Sequence, residues 1–138
     1  MRFWVMAIIL VASVSTESLA FKMPGASGEP SKKAKRLLRQ AKGALGSANY
    51  SKAIDFAGQA IKEDKKFAKA YALRGKALKN MGDMDNSLKD LNMAIKIDPK
   101  LGEAYFIRGQ MSEIMGDMGS AEKDFKQSCA EGYRDACN

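Results

Sequence analysis

Arg74 and Asp90 stand sixteen residues apart, and the same pair returns as Arg108 and Asp124 thirty-four residues further along the chain. Opposite charges repeated at one spacing suggest a salt bridge, in which, if partly buried, breaking one partner costs more than the pair itself stabilises. The corresponding upstream positions hold Gln40 and Phe56. The two charges come together or not at all, which predicts an ion pair inside each unit; duplication of two independent, solvated charges is the alternative. Other reactive groups are few. Histidine is absent, which removes the commonest general base near neutral pH and the commonest metal ligand. No nucleophile–base, paired-acid or phosphate-cradling pattern occurs, so the sequence predicts no enzyme, no cofactor and no metal site. Two cysteines, Cys129 and Cys137, are too few for a structural zinc site unless carboxylates complete it. They also lack the two-residue spacing of a redox motif. Asn49-Tyr50-Ser51 matches a glycosylation acceptor, which matters only in a eukaryotic host.

Charge is the other recognisable chemistry. Lysine and arginine total 23 against 16 acidic residues, a formal net charge of +7, and a basic surface favours acidic partners. Lys32, Lys33, Lys35, Arg36, Arg39 and Lys42 crowd one stretch with no acidic residue among them. Most such runs are a solvated helix face; the functional reading is an acidic ligand. No aromatic side chains interleave the basic ones, so nucleic acid is not expected. Weak contact with an anionic membrane surface is the electrostatic alternative.

The elements that must position these residues emerge on shifting the chain by thirty-four residues. Three blocks then align without a gap: 34–67, 68–101 and 102–131. Ala70-Tyr71 corresponds to Ala104-Tyr105, Arg74-Gly75 to Arg108-Gly109, and Met81-Gly82-Asp83-Met84 to Met115-Gly116-Asp117-Met118. A period of this length indicates a repeat architecture. In the second block Tyr71, Gly75 and Leu78 form one apolar stripe at helical spacing, and Leu88, Leu91 and Ile95 form another. Gly82 suits the end of the first helix and Asp83 the cap of the second. Asp98-Pro99 closes the block. The small residues imply close helix approach: Ala41, Gly75 and Gly109 within a hairpin, and Ala60, Ala94 and Ser128 between second helices. Met81, Met84, Met115 and Met118 recur at equivalent turn positions, where thioethers would fill gaps between hairpins or, alternatively, form an adaptable binding surface.

With Tyr71, Gly75, Leu78, Ser87, Leu91, Ala94 and Pro99 in the second block, the pattern resembles the tetratricopeptide repeat family. Tyr105, Gly109, Ala121, Phe125 and Ser128 follow it in the third block, and Leu37, Ala41, Ala53, Ala57 and Ala60 in the first. The resemblance implies an all-α fold, an α-α superhelix of three helical hairpins. It also implies a concave ligand groove lined by the first helices, formed here by Lys35, Leu38, Lys42, Lys69, Lys76, Lys79, Asn80, Phe106 and Gln110. The groove would be basic at one end and mixed at the other. Residues 132–138 with Cys129 resemble the cysteine-rich Sel-like repeats, which implies a disulfide between Cys129 and Cys137; free thiols are the alternative.

The remaining organisation is at the amino terminus. Arg2, the apolar run Phe3–Val14 and Ser18-Leu19-Ala20 have the pattern of a signal peptide over residues 1–20, with an uncleaved anchor as the alternative. Residues 21–31, rich in Pro and Gly, read as a flexible linker. The expectation is therefore an exported chain, periplasmic or secreted, whose three repeats span 32–131. Its partner would be a protein or peptide of acidic character. Self-association is a further alternative, since a short array leaves an apolar end exposed.

Overall fold

The computed structural model describes residues 28–138. The signal peptide expected at 1–20 and most of the linker expected at 21–31 lie outside the described residues. Six α-helices follow one another: α1 (Lys32–Gly46), α2 (Tyr50–Glu63), α3 (Ala68–Met81), α4 (Met84–Ile97), α5 (Gly102–Ile114) and α6 (Met118–Ala130), with a short 3₁₀ turn at Arg134–Ala136. No strand occurs among the described residues. The helices pair as three antiparallel hairpins, α1 with α2, α3 with α4 and α5 with α6, and the all-α superhelix expected from the repeat is the observed architecture.

Caps explain where the helices begin. The second helix of each hairpin starts at a polar residue whose side chain accepts a hydrogen bond from a free helix-end N–H: Asn49 from Lys52, Asp83 from Asn86 and Asp117 from Ser120. Each such bond satisfies a donor that the helix itself cannot. The first helices of the second and third hairpins start differently, at Phe67 and Leu101, with no side-chain cap. Both residues are buried, so the chain enters these helices from the core. The turns between paired helices reverse through a left-handed residue: Gly82 at φ +87°, Gly116 at φ +81° and, in the first hairpin, Ala48 at φ +55°.

The core is built largely from alanine and glycine, and close approach follows. A Cβ placed on Gly75 would lie 3.1 Å from Leu91 Cγ and 3.2 Å from the Ser87 carbonyl oxygen. On Gly109 it would fall 2.7 Å from the Phe125 ring. Two of the buried serines use the same proximity: Ser87 Oγ donates to the Gly75 carbonyl at 2.7 Å and Ser128 Oγ to the Gly102 carbonyl at 2.7 Å. No buried side-chain polar atom lacks a partner among the described residues.

Two expectations need correction. Ala60, Ala94 and Ser128 do not bring second helices together. Each second helix packs on the first helix of the next hairpin, α2 on α3 and α4 on α5, and Ser128 lies against the start of α5. The reason is geometric: each new first helix sits against the second helix of its predecessor, which separates the second helices. Three of the four turn methionines do not fill gaps either. Met81, Met115 and Met118 are 56%, 55% and 62% exposed, because the turns project from the stack. Only Met84 among the four packs against the core, and the methionine that does fill an inter-hairpin gap is the fully buried Met111.

Candidate peptide-binding groove

α1, α3 and α5 carry the residues expected to line a groove, and the structure divides them into three groups. At the amino-terminal end Lys35, Leu38, Lys42 and Lys69 line one cleft of about 670 Å³ together with Lys66 and Phe67. Leu38 and Phe67 are buried and form its apolar floor, while the four lysines are exposed. A basic rim above an apolar floor arises because α1 and α3 run side by side, their alanine faces turned into the core and their lysines left at the edge. Glu29, at the mouth, accepts from Lys35 at 2.9 Å, and this contact lowers the Glu29 pKa.

In the middle, the basic side chains are engaged across the hairpin boundary. Lys79 donates to Gln110 Oε1 at 2.6 Å, and Lys76 Nζ lies 3.8 Å from Glu103 Oε1. Burial, with the Lys76 charge second, lowers the Lys79 pKa. Asn80 is exposed beyond them. At the carboxyl-terminal end Phe106 is half-buried, packed against Phe125 at 5.7 Å and Tyr133 at 5.0 Å between ring centroids. The tail is held there by the Cys129–Cys137 pair, whose Cα atoms are 4.9 Å apart. Burial and the nearby Glu103 and Asp135 carboxylates raise the Tyr133 pKa. Ligand access is therefore greatest at the amino-terminal end, and the apolar Phe106 surface is partly withdrawn under the tail.

The ion pairs lie on another face. Arg74 meets Asp90 through two bonds, Nε to Oδ2 at 2.7 Å and Nη2 to Oδ1 at 2.8 Å. Arg108 meets Asp124 through the same two bonds, each 2.8 Å. Both aspartates are buried. Each arginine also stands over an aromatic ring one turn earlier, Arg74 over Tyr71 at 5.8 Å and Arg108 over Tyr105 at 5.6 Å, within cation–π range. The hydrogen bond to its aspartate raises each arginine pKa against the opposing effect of burial. These pairs staple first helix to second and leave no charge free for a ligand. Lys79–Gln110, the serine–carbonyl bonds and the bond from Arg108 to Asn92 at 2.8 Å join residues in different helices. Nothing in the sequence spacing marks them: Ser87 and Ser128 stand at different repeat positions, where the other hairpins place alanine.

Residues 68–101 match the family model described as tetratricopeptide repeat. No curated protein matches the chain. Among solved structures, the fold is similar to the Arabidopsis OM64 TPR domain, with 24% identity, 74% of this chain and 84% of that one covered, and a TM-score of 0.69. It is similar to the yeast Sti1 TPR2B domain solved in complex with pHsp70, with 22% identity, coverage of 73% and 81%, and a TM-score of 0.69. It is also similar to the second TPR of Spaghetti (RPAP3) bound to the HSP90 peptide SRMEEVD, with 23% identity, coverage of 72% and 92%, and a TM-score of 0.67. The chain thus carries a tetratricopeptide repeat at residues 68–101, within a three-hairpin array that has the superhelical fold of tetratricopeptide domains.

Proposed function

We propose that this protein is a non-enzymatic scaffold that binds an acidic, extended protein segment in the cleft between α1 and α3. The observation that carries the reading is the exposed set Lys35, Lys42, Lys66 and Lys69 around the buried Leu38 and Phe67. Cationic side chains with long stems hold carboxylates while an apolar floor receives a side chain between them. The peptide in the Spaghetti complex, SRMEEVD, is acidic, which supports a ligand of this kind for a similar fold. The central Lys76 and Lys79 serve to join hairpins in this reading, and the cleft is the recognition surface.

The test is fluorescence anisotropy with a labelled acidic peptide and a basic peptide of equal length, on the full chain and on a Lys42→Glu, Lys69→Glu variant. The acidic peptide alone should bind, more weakly as salt rises, and the double reversal should weaken it by about tenfold or more. Equal binding of both peptides, or indifference to the reversal, rejects the cleft. Export to a periplasmic or secreted location is part of the proposal and rests on the pattern of residues 1–20. Mass spectrometry of the natural product should find a chain beginning at Phe21, and a retained Met1 would remove that part.

A further inference from the structure

In the second hairpin Met84, Leu88, Leu91 and Ile95 of α4 belong to the apolar cluster that receives Ala104, Ile107 and Met111 of α5. Thirty-four residues later the same positions are Met118, Glu122, Phe125 and Cys129. All four line one cleft of about 590 Å³ between α5, α6 and the tail. The third hairpin therefore repeats the surface on which a first helix is seated; among the described residues no α-helix covers it, and the tail residues Ala136, Cys137 and Asn138 border it. Met118 is 62% exposed there, and Ile114 at the same end 63%.

The opposite end of the array carries the matching face. Ala104, Ile107 and Met111 of α5 correspond to Ala70, Leu73 and Ala77 of α3, and to Arg36, Arg39 and Gly43 of α1. In α3 and α5 these positions are buried against the preceding second helix; in α1 all three are exposed. Gly43 faces open space. Its counterpart Met111 touches Ser87 at 3.1 Å, and the residue equivalent to Ser87 in the cleft is the small Ala121. The charges also correspond. The cleft presents Glu113 and Glu122 against a single lysine, Lys126. Lys126 pairs with Glu122 through an exposed bridge that the two can exchange for other partners. The α1 face presents Arg36 and Arg39.

We propose that a second copy of this chain seats its α1 in the α5–α6 cleft, continuing the stack head to tail with Arg36 and Arg39 meeting Glu113 and Glu122. Such a contact joins two different surfaces, so each copy keeps one free end and adds further copies, into a filament or, where the rotation closes, a ring. It is independent of the peptide cleft between α1 and α3.

The test is analytical ultracentrifugation of the full chain from micromolar to millimolar concentration, with two surface variants, Arg36→Glu, Arg39→Glu and Glu113→Lys, Glu122→Lys. The unaltered chain should grow beyond a dimer as concentration rises. Either variant alone sets like charge against like and should associate at least about tenfold more weakly. An equimolar mixture of the two restores opposite charges at every junction and should recover association. Because all four positions are exposed, unchanged circular dichroism melts are expected for both variants. A wild-type chain that stays monomeric overturns the proposal. So does association that the variants leave intact, a species that stops at a dimer, or a mixture that fails to rescue.

Discussion

The first hairpin and the second reach the same geometry by different means. The second joins α3 to α4 with the Arg74–Asp90 pair, turns through Gly82 and places Gly75 against Leu91. The first has Gln40 and Phe56 in place of the charged pair and turns through Ala48 in the left-handed region. It has Ala41, fully buried, where the second has Gly75, and Phe56 and Leu45 pack against its core cluster. A partly buried ion pair in one hairpin and a hydrophobic contact in the other thus support the same geometry. This agrees with the general finding that replacing a buried pair by packed apolar groups is often close to neutral, whereas breaking it is not. What the two hairpins cannot exchange freely is volume at the closest approach.

The largest separation between them should come from that approach. Gly75→Leu sets a bulky side chain against the backbone of Ser87 and the fully buried Leu91, and should cost about 3 kcal/mol through overpacking. The same change at Gly109 should cost less, although the Phe125 ring is nearer there, because Phe125 borders an open cleft and can swing aside. Thermal or urea unfolding of both variants ranks them, and the reverse order would contradict the packing described.

Next in size is the ion pair. Asp90→Ala leaves the Arg74 guanidinium, with its side chain 29% exposed, beside an emptied site, and should cost about 2 kcal/mol, below the range for fully buried pairs. Installing the first hairpin's own solution, Arg74→Gln with Asp90→Phe, should recover most of that loss. A double-mutant cycle measures the coupling, and additive losses would show that the two supports are not equivalent.

A smaller effect is expected at the turn. Ala48 holds φ +55°, where the other hairpins place glycine. An L side chain is strained in this region, so Ala48→Gly should stabilise the protein by about 0.5–1 kcal/mol. Gly82→Ala should destabilise it by a similar amount, and equal melting temperatures for all three chains would remove the argument.

The smallest effect concerns acid. Hydrogen bonds from Asn86 lower the pKa of Asp83 below its ordinary 3.8, and those from Ser120 do the same for Asp117. A lowered folded-state value means that the caps stabilise fully above the unfolded value and lose this contribution as pH falls through the folded one. The first hairpin, capped by the uncharged Asn49, has no such dependence. Asp83→Asn with Asp117→Asn should therefore leave neutral-pH stability nearly unchanged and flatten the loss of stability below about pH 3.8, as pH-dependent melts would record.

Much of this architecture was legible in the residues. The thirty-four-residue period, the glycine–aspartate turns and the alternation of apolar stripes specify hairpins because each is a local consequence of helix geometry and of which residues tolerate a left-handed turn. The Arg–Asp spacing of sixteen residues places both side chains on facing helices once a hairpin exists, so the pair too could be inferred from the chain alone. The groove was legible only as a set of positions. Lys42 and Lys69, which have no partner among the described contacts, and the engaged Lys76 and Lys79 are the same residue type on first helices. Their difference lies in Glu103 and Gln110, which α5 brings within reach of the second set.

Local stereochemistry and periodic hydrophobicity therefore determined, from the sequence alone, that the chain forms paired helices and where each pair turns. Tertiary structure decided which second helix meets which first helix, which methionine is buried, which lysines remain open to a ligand and which apolar ring the tail covers. Those outcomes depend on contacts between residues far apart in the chain. A repeating pattern constrains such contacts only up to the rotation and translation relating one hairpin to the next, and that relation is set by the packing of all the side chains together.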